Sequence, residues 1–117
     1  MIDLLWWATV ALLLTHELDA MKQHEWRVLP LTRSLPEHTG EQVFIWLHVP
    51  VFLVVLALAE SEAFRVGFCV FAIVHVGLHW LFRNHPKYEF ADFGSRALIV
   101  LPGVAGAAYL SGAAVAG

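Results

Sequence analysis

Four long apolar segments dominate this chain of 117 residues and restrict the folds that it can adopt. They cover roughly residues 2–25, 42–60, 63–83 and 95–116, each close to the about 20 residues that a helix needs to cross a bilayer core. Backbone N–H and C=O groups must be paired internally within lipid, so each segment is predicted to be helical. The sequence therefore predicts an all-α, integral membrane four-helix bundle that forms a single transmembrane domain.

The composition supports a membrane protein and argues against several other classes. Hydrophobic residues make up 59% of the chain and charged residues only 15%, whereas a soluble domain has about 25% charged residues. The net charge of −3 gives no reason to expect nucleic acid as a partner. Cys69 is the single cysteine, so a disulfide within the chain is excluded. The first segment has Asp3 and no basic residue near its start, which indicates a retained span and not a signal peptide.

The basic residues predict how the bundle is oriented. Only Arg65 lies beside the link between the second and third segments, and the other basic residues lie in or beside the first and third links: Lys22, Arg27, Arg33, Arg83, Lys87 and Arg96. The positive-inside rule then places these two links in the cytoplasm and both termini outside. The fourth segment is rich in glycine and alanine, which favours close helix packing and a homo-oligomer formed through that segment.

Ionisable side chains from three segments fall at one depth, in the inner half of the bilayer. His16 and Glu17 lie near the cytoplasmic end of the first segment. At 1.5 Å per residue, His48 lies about 10 Å inside the second segment, and His79 and His75 lie about 6 and 12 Å inside the third. Such groups cost about 2.5 kcal/mol or more each to insert and mark functional sites by default. His75 and His79 share one helix face, so both imidazoles can reach one cation.

Imidazole nitrogen and carboxylate oxygen are ligands that suit divalent transition metals. We therefore predict a site for one or two ions, with Zn and Fe favoured, and six candidate ligands: His16, Glu17, His24, His48, His75 and His79. His16 and Glu17 are also the candidate catalytic residues, with His16 as a ligand or general base. Glu25, His85 and Glu89 lie at the cytoplasmic mouth of the predicted site. They are either functional, as further ligands, groups that orient imidazoles or proton carriers, or they are ordinary interfacial residues.

Three functions remain open on this pattern. The first is a metalloenzyme that acts on a lipid or other hydrophobic small molecule from the inner leaflet. The second is a b-type haem protein, in which His48 faces His75 or His79 and both imidazoles bind the haem iron. The third is a non-catalytic membrane subunit or ion-handling protein with a hydrogen-bonded polar cluster.

The motifs THELDA and HEW, His48, and the run HVGLHWLFRNHPKYEF together resemble small, four-span, His-rich bacterial membrane proteins of uncharacterised function. This resemblance implies a location in the bacterial inner (cell) membrane and a polar site within it. A looser similarity is to the HXXEE group of small membrane proteins. His16 matches the histidine of that group, but Asp19 and Ala20 stand where its two glutamates belong.

Overall fold

The computed structural model describes residues 2–116, which form an all-helical fold. Within that range there are four α-helices and one short 3₁₀ turn, in the order α1 (Ile2–Lys22), the 3₁₀ turn (Glu25–Arg27), α2 (Glu37–Leu58), α3 (Glu62–Phe82) and α4 (Phe93–Ala116). The prediction of an all-α fold is confirmed. Three of the helices, α2, α3 and α4, are long and apolar enough to cross a membrane.

The first helix differs from the other three in its charge. Asp3, Glu17, Asp19 and Lys22 all lie within α1, and this helix is not among those that are long and apolar enough to cross a membrane. The helix also ends at Lys22, three residues before the boundary that the apolar pattern suggested. Membrane crossing by α1 therefore stays a prediction.

The last helix, α4, packs along both α1 and α3 and bridges them. Small residues make this possible, because a Cβ atom at Gly106 would lie 3.1 Å from the carbonyl oxygen of Cys69. A Cβ atom at Gly103 would lie 2.7 Å from Cγ2 of Val76, which is closer than real Cβ atoms come. These glycines thus serve close helix approach within the chain, as is common in lipid. The predicted homo-oligomer remains a separate expectation.

The second helix, α2, is attached mainly at its two ends. Near its start, Phe44 joins an apolar cluster with Trp26. Near its end, Val55 joins a second cluster with Trp6. Its middle contains Pro50, which has no N–H to continue the helical hydrogen bonds. Between the two attachments a cleft separates α2 from α3.

Candidate metal centre

Three histidines from α1 and α3 meet inside the bundle. His16 is fully buried, and His75 and His79 are each 7% exposed. The ring centroids of His16 lie 4.5 Å from His75 and 5.0 Å from His79, and the two α3 rings are 4.5 Å apart. The spacing of four residues on α3 places both of its imidazoles on the side that faces α1. The three rings therefore form one contiguous imidazole cluster.

A carboxylate joins these rings because the chain turns back after α1. His24 has the left-handed conformation, with φ 57° and ψ 48°, and the 3₁₀ turn follows directly. Glu25 is thereby brought under the bundle, with Oε1 at 3.3 Å from Nε2 of His79 and 4.0 Å from Nε2 of His16. A non-glycine residue in this conformation costs about 1–3 kcal/mol. Such strain at a position that aims a carboxylate into a buried cluster is typical of functional sites.

The four side chains are close enough to share one ion. His16, Glu25, His75 and His79 each offer one ligand atom, and these atoms all lie within 4.8 Å of one another. Neighbouring ligands in a tetrahedral shell with bonds of about 2.1 Å lie about 3.4 Å apart. Side-chain rotations that move the atoms by about 1 Å would therefore complete the shell. Phe90 packs against His16 and His79, with ring centroids 5.6 and 4.7 Å away, and shields the cluster.

Several nitrogens of the cluster lack hydrogen-bond partners. Both ring nitrogens of His16 and Nδ1 of His75 are buried and unpaired among the residues that the structure describes. Each buried polar group left in this state costs about 1–3 kcal/mol. An ion would take the lone pair of one nitrogen on each ring and so remove the part of the cost that belongs to that nitrogen.

Tyr88 holds the third imidazole in place. Its hydroxyl lies 3.1 Å from Nδ1 of His79, so Nε2 of that ring is left facing Glu25. Burial raises the pKa of Tyr88, so the hydroxyl stays protonated at neutral pH. Metal-bound imidazoles generally have such a partner on their second nitrogen, which fixes the orientation of the ring. No sequence pattern indicated this role for Tyr88.

Glu17 and His48 pair with each other beside the cluster. Nε2 of His48 lies 2.5 Å from Oε2 of Glu17, and Nδ1 lies 2.6 Å from the carbonyl oxygen of Phe44. A neutral imidazole has only one N–H, but here both ring nitrogens face oxygen acceptors. The pair must therefore hold one further proton, either on the imidazole or on the carboxylate. Both residues line the same pocket as Glu25 and His75.

The remaining candidate, His24, belongs to a polar network at the mouth. Its Nδ1 lies 3.1 Å from Oε2 of Glu89. Arg27 donates to Glu89 at 3.3 Å and to Glu37 at 2.8 Å, so one arginine ties the links before α2 and α4 together. Nδ1 of His85 accepts from the backbone N–H of Lys87. These contacts are structural, and they lie outside the group of four that could share an ion.

The structure thus brings together three of the six predicted ligands, namely His16, His75 and His79. Glu17, His24 and His48 have other partners, and the carboxylate of the group of four comes from Glu25. The same geometry favours an ion over haem. His48 lines the same cleft as His75, but both of its ring nitrogens are already engaged, so it has none free to bind a haem iron.

Comparisons with known proteins place the chain in one family and give no function. Searches of curated proteins and of solved structures found no match. A family model described as a family of unknown function (DUF6713) matches residues 2–115. The expectation of an uncharacterised family is confirmed, while the similarity to the HXXEE group and the bacterial origin stay predictions. Because the match covers nearly the whole chain, this protein belongs to that family of unknown function, DUF6713.

Proposed function

We propose that this protein is an integral membrane metalloprotein that holds one divalent transition ion on His16, His75, His79 and Glu25. One observation carries the proposal: three buried imidazoles contact each other around a single carboxylate, and several of their nitrogens have no other partner. A cluster built only for hydrogen bonding would pair those nitrogens, since each unpaired one is costly.

The four ligands suit zinc or iron, with different consequences. Four protein ligands fill a tetrahedral zinc site, which is the arrangement of structural zinc. Iron in the ferrous state takes a larger shell, so the same four residues would leave positions open for a substrate. If the protein is an enzyme, the bound ion is therefore expected to be iron. If the centre is purely structural, the bound ion is expected to be zinc.

The surroundings of the cluster support an enzyme acting on a hydrophobic substrate. The Glu17–His48 pair lies along the pocket that reaches Glu25 and His75, and it holds a proton that can be given or taken. Of the two residues expected to be catalytic, Glu17 acts as the acid or base together with His48, and His16 acts as a ligand. The metal supplies Lewis-acid or redox chemistry when bound.

We also propose that the protein is a four-span membrane protein. All four α-helices cross the bacterial inner membrane, with both termini outside and with the links after α1 and α3 in the cytoplasm. Support for α1 as the fourth span comes from its packing along α4, which is itself apolar enough to cross. The metal centre then lies in the inner half of the bilayer, where basic residues of the two links surround its mouth.

Elemental analysis of detergent-purified protein tests the metal centre directly. We expect about one equivalent of zinc or iron in the wild type, and a loss of about tenfold or more in His75→Ala and His79→Ala. His38→Ala is a matched control, because His38 is exposed at the start of α2 and should leave the metal content unchanged. A wild-type protein that holds no metal after chelator-free purification and after reconstitution with Zn²⁺ or Fe²⁺ would contradict the proposal.

A further inference from the structure

An apolar cleft between α2 and α3 leads to the cluster. Its inner part has a volume of about 370 Å³ and its outer part about 680 Å³. The two parts are continuous because they share wall residues from both helices, namely Val51, Val55, Phe68 and Phe71. At its inner end the wall becomes polar, with Glu17, Glu25, His48 and His75. The cleft is therefore hydrophobic along most of its length and polar only where it meets the candidate metal centre.

The length of the cleft fits one hydrocarbon chain. From His75 to Phe64 it follows eleven residues of α3, or about 17 Å at 1.5 Å per residue. Because His75 lies about 12 Å inside the cytoplasmic end of the span, the cleft runs outward from there across the midplane of a core about 30 Å thick and ends near its outer face. A single extended chain would thus occupy the cleft from the cluster to its outer end.

The charged groups at the inner end of the cleft determine which head group a bound single-chain molecule can have. Among the described residues that line both parts of the cleft there is no lysine or arginine. The lining carboxylates already have partners, because Glu17 contacts His48 and Glu25 contacts His79. An anionic head would have to leave the headgroup layer, and at the inner end two carboxylates would offset most of the positive charge of a divalent ion and of the proton held by the Glu17–His48 pair. An uncharged oxygen can make the same descent at much lower cost.

Resting on the proposed function, we propose that the substrate is a single-chain amphiphile with an uncharged oxygen at one end, a long-chain alcohol or aldehyde. It enters sideways from the lipid between α2 and α3. Its chain lies against Val51, Phe68 and Phe71, and its oxygen lies beside His75 and the Glu17–His48 pair.

Two glycines of α3 provide a matched pair of variants. Gly67 lines the outer part of the cleft, and a Cβ atom added there meets nothing within 4 Å. Gly77 is equally open but does not line the cleft. Gly67→Leu should fill the space for the chain, whereas Gly77→Leu should extend into lipid. Both changes replace a helical glycine with the same residue, so their effects on helix stability should be similar.

The test is photo-crosslinking of purified protein in nanodiscs with a diazirine-bearing long-chain alcohol, together with metal analysis of the same samples. We expect saturable labelling of cleft residues that hexadecanol displaces. Hexadecanoic acid should fail to displace the probe at a pH where it is ionised. Gly67→Leu should lower labelling about tenfold, while Gly77→Leu leaves it unchanged.

Labelling spread over all lipid-facing helices without competition would mean bulk lipid only, and would overturn the inference. If ionised hexadecanoic acid displaced the probe as well as hexadecanol does, the inference that the substrate has an uncharged head would be overturned. The metal measurement separates this inference from the proposed function. If metal is present but labelling is non-specific, only the substrate assignment fails. If labelling is specific but the protein never holds metal, the proposed metalloprotein fails while the cleft remains a binding site for the alcohol.

Discussion

Replacing His16 by leucine should stabilise the metal-free protein, although His16 is fully buried at the centre of the cluster. Both of its ring nitrogens are buried without a partner among the described residues. Each such group costs about 1–3 kcal/mol, and leucine removes both. Leucine also loses some ring contacts with His75 and Phe90, which offsets part of the gain. We therefore expect a net stabilisation of about 1–3 kcal/mol without metal.

The same variant should lose the response to metal. An ion that binds only the folded protein stabilises it by about 2.7 kcal/mol at a free concentration of 100 times its dissociation constant. Wild type should gain this increment when Zn²⁺ or Fe²⁺ is added, and His16→Leu should not. Thermal unfolding followed by circular dichroism, with chelator and with metal, measures both effects. Adding metal should thus reduce the advantage of His16→Leu over wild type by about 2.7 kcal/mol, and should invert the order of melting temperatures where that advantage is smaller.

His48→Leu is the control for a histidine whose nitrogens do have partners. It removes the contact to Glu17 and leaves that half-buried carboxylate without this partner. We expect it to lower stability by about 3 kcal/mol, with and without metal. If His16→Leu destabilises the metal-free protein as much as His48→Leu does, the nitrogens of His16 are satisfied in some other way. His16 would then have no nitrogen left free to bind an ion, and its assignment as a metal ligand would be refuted.

Three further predictions concern the backbone and the helix ends. His24→Gly should keep the metal because glycine adopts a φ of 57° freely, whereas His24→Val should lower metal content by displacing the carboxylate of the next residue; elemental analysis of both variants checks this. Gly106→Val should destabilise the protein by about 1–3 kcal/mol through the clash between α4 and α3, while Gly77→Val, with open space around it, should stay within about 1 kcal/mol of wild type in chemical unfolding. Asp92 accepts a hydrogen bond from the backbone N–H of Ser95, which lowers the pKa of its carboxyl. Its contribution to stability should therefore be complete above the ordinary aspartate pKa and should be lost as the pH falls through the lowered one; a pH series of unfolding should show this loss in wild type and not in Asp92→Asn.

Periodicity and spacing predicted the part of the site that lies on straight helices. His75 and His79 are four residues apart, so any inward-facing α3 brings both to one point. His16 lies at a depth that matches theirs once the topology is fixed. These three positions depend only on helix geometry and on the direction of each span, and both can be estimated from the sequence.

The sequence left Glu25 open as a further ligand or an interfacial residue, and helix geometry could not choose between these roles. Glu25 reaches the cluster because His24 adopts a left-handed conformation, and the run KQHEW contains no glycine or asparagine to signal it. The pairing of Glu17 with His48 was also missed, because it depends on how α2 approaches α1 across the cleft. Sequence patterns give the face of each helix, but they do not choose which polar groups on facing helices become partners.

Different helices carry the candidate ligands and border the cleft. All four candidate ligands lie on α1, the 3₁₀ turn and α3, and α2 contributes none of them. The helices α1 and α3 are bridged by α4, whose approach to α3 is set at Gly103 and Gly106. Close packing of these three helices therefore fixes the distances between the ligands. The cleft and the proton-holding pair instead depend on α2, so changes on that helix should alter substrate handling while the metal content stays intact.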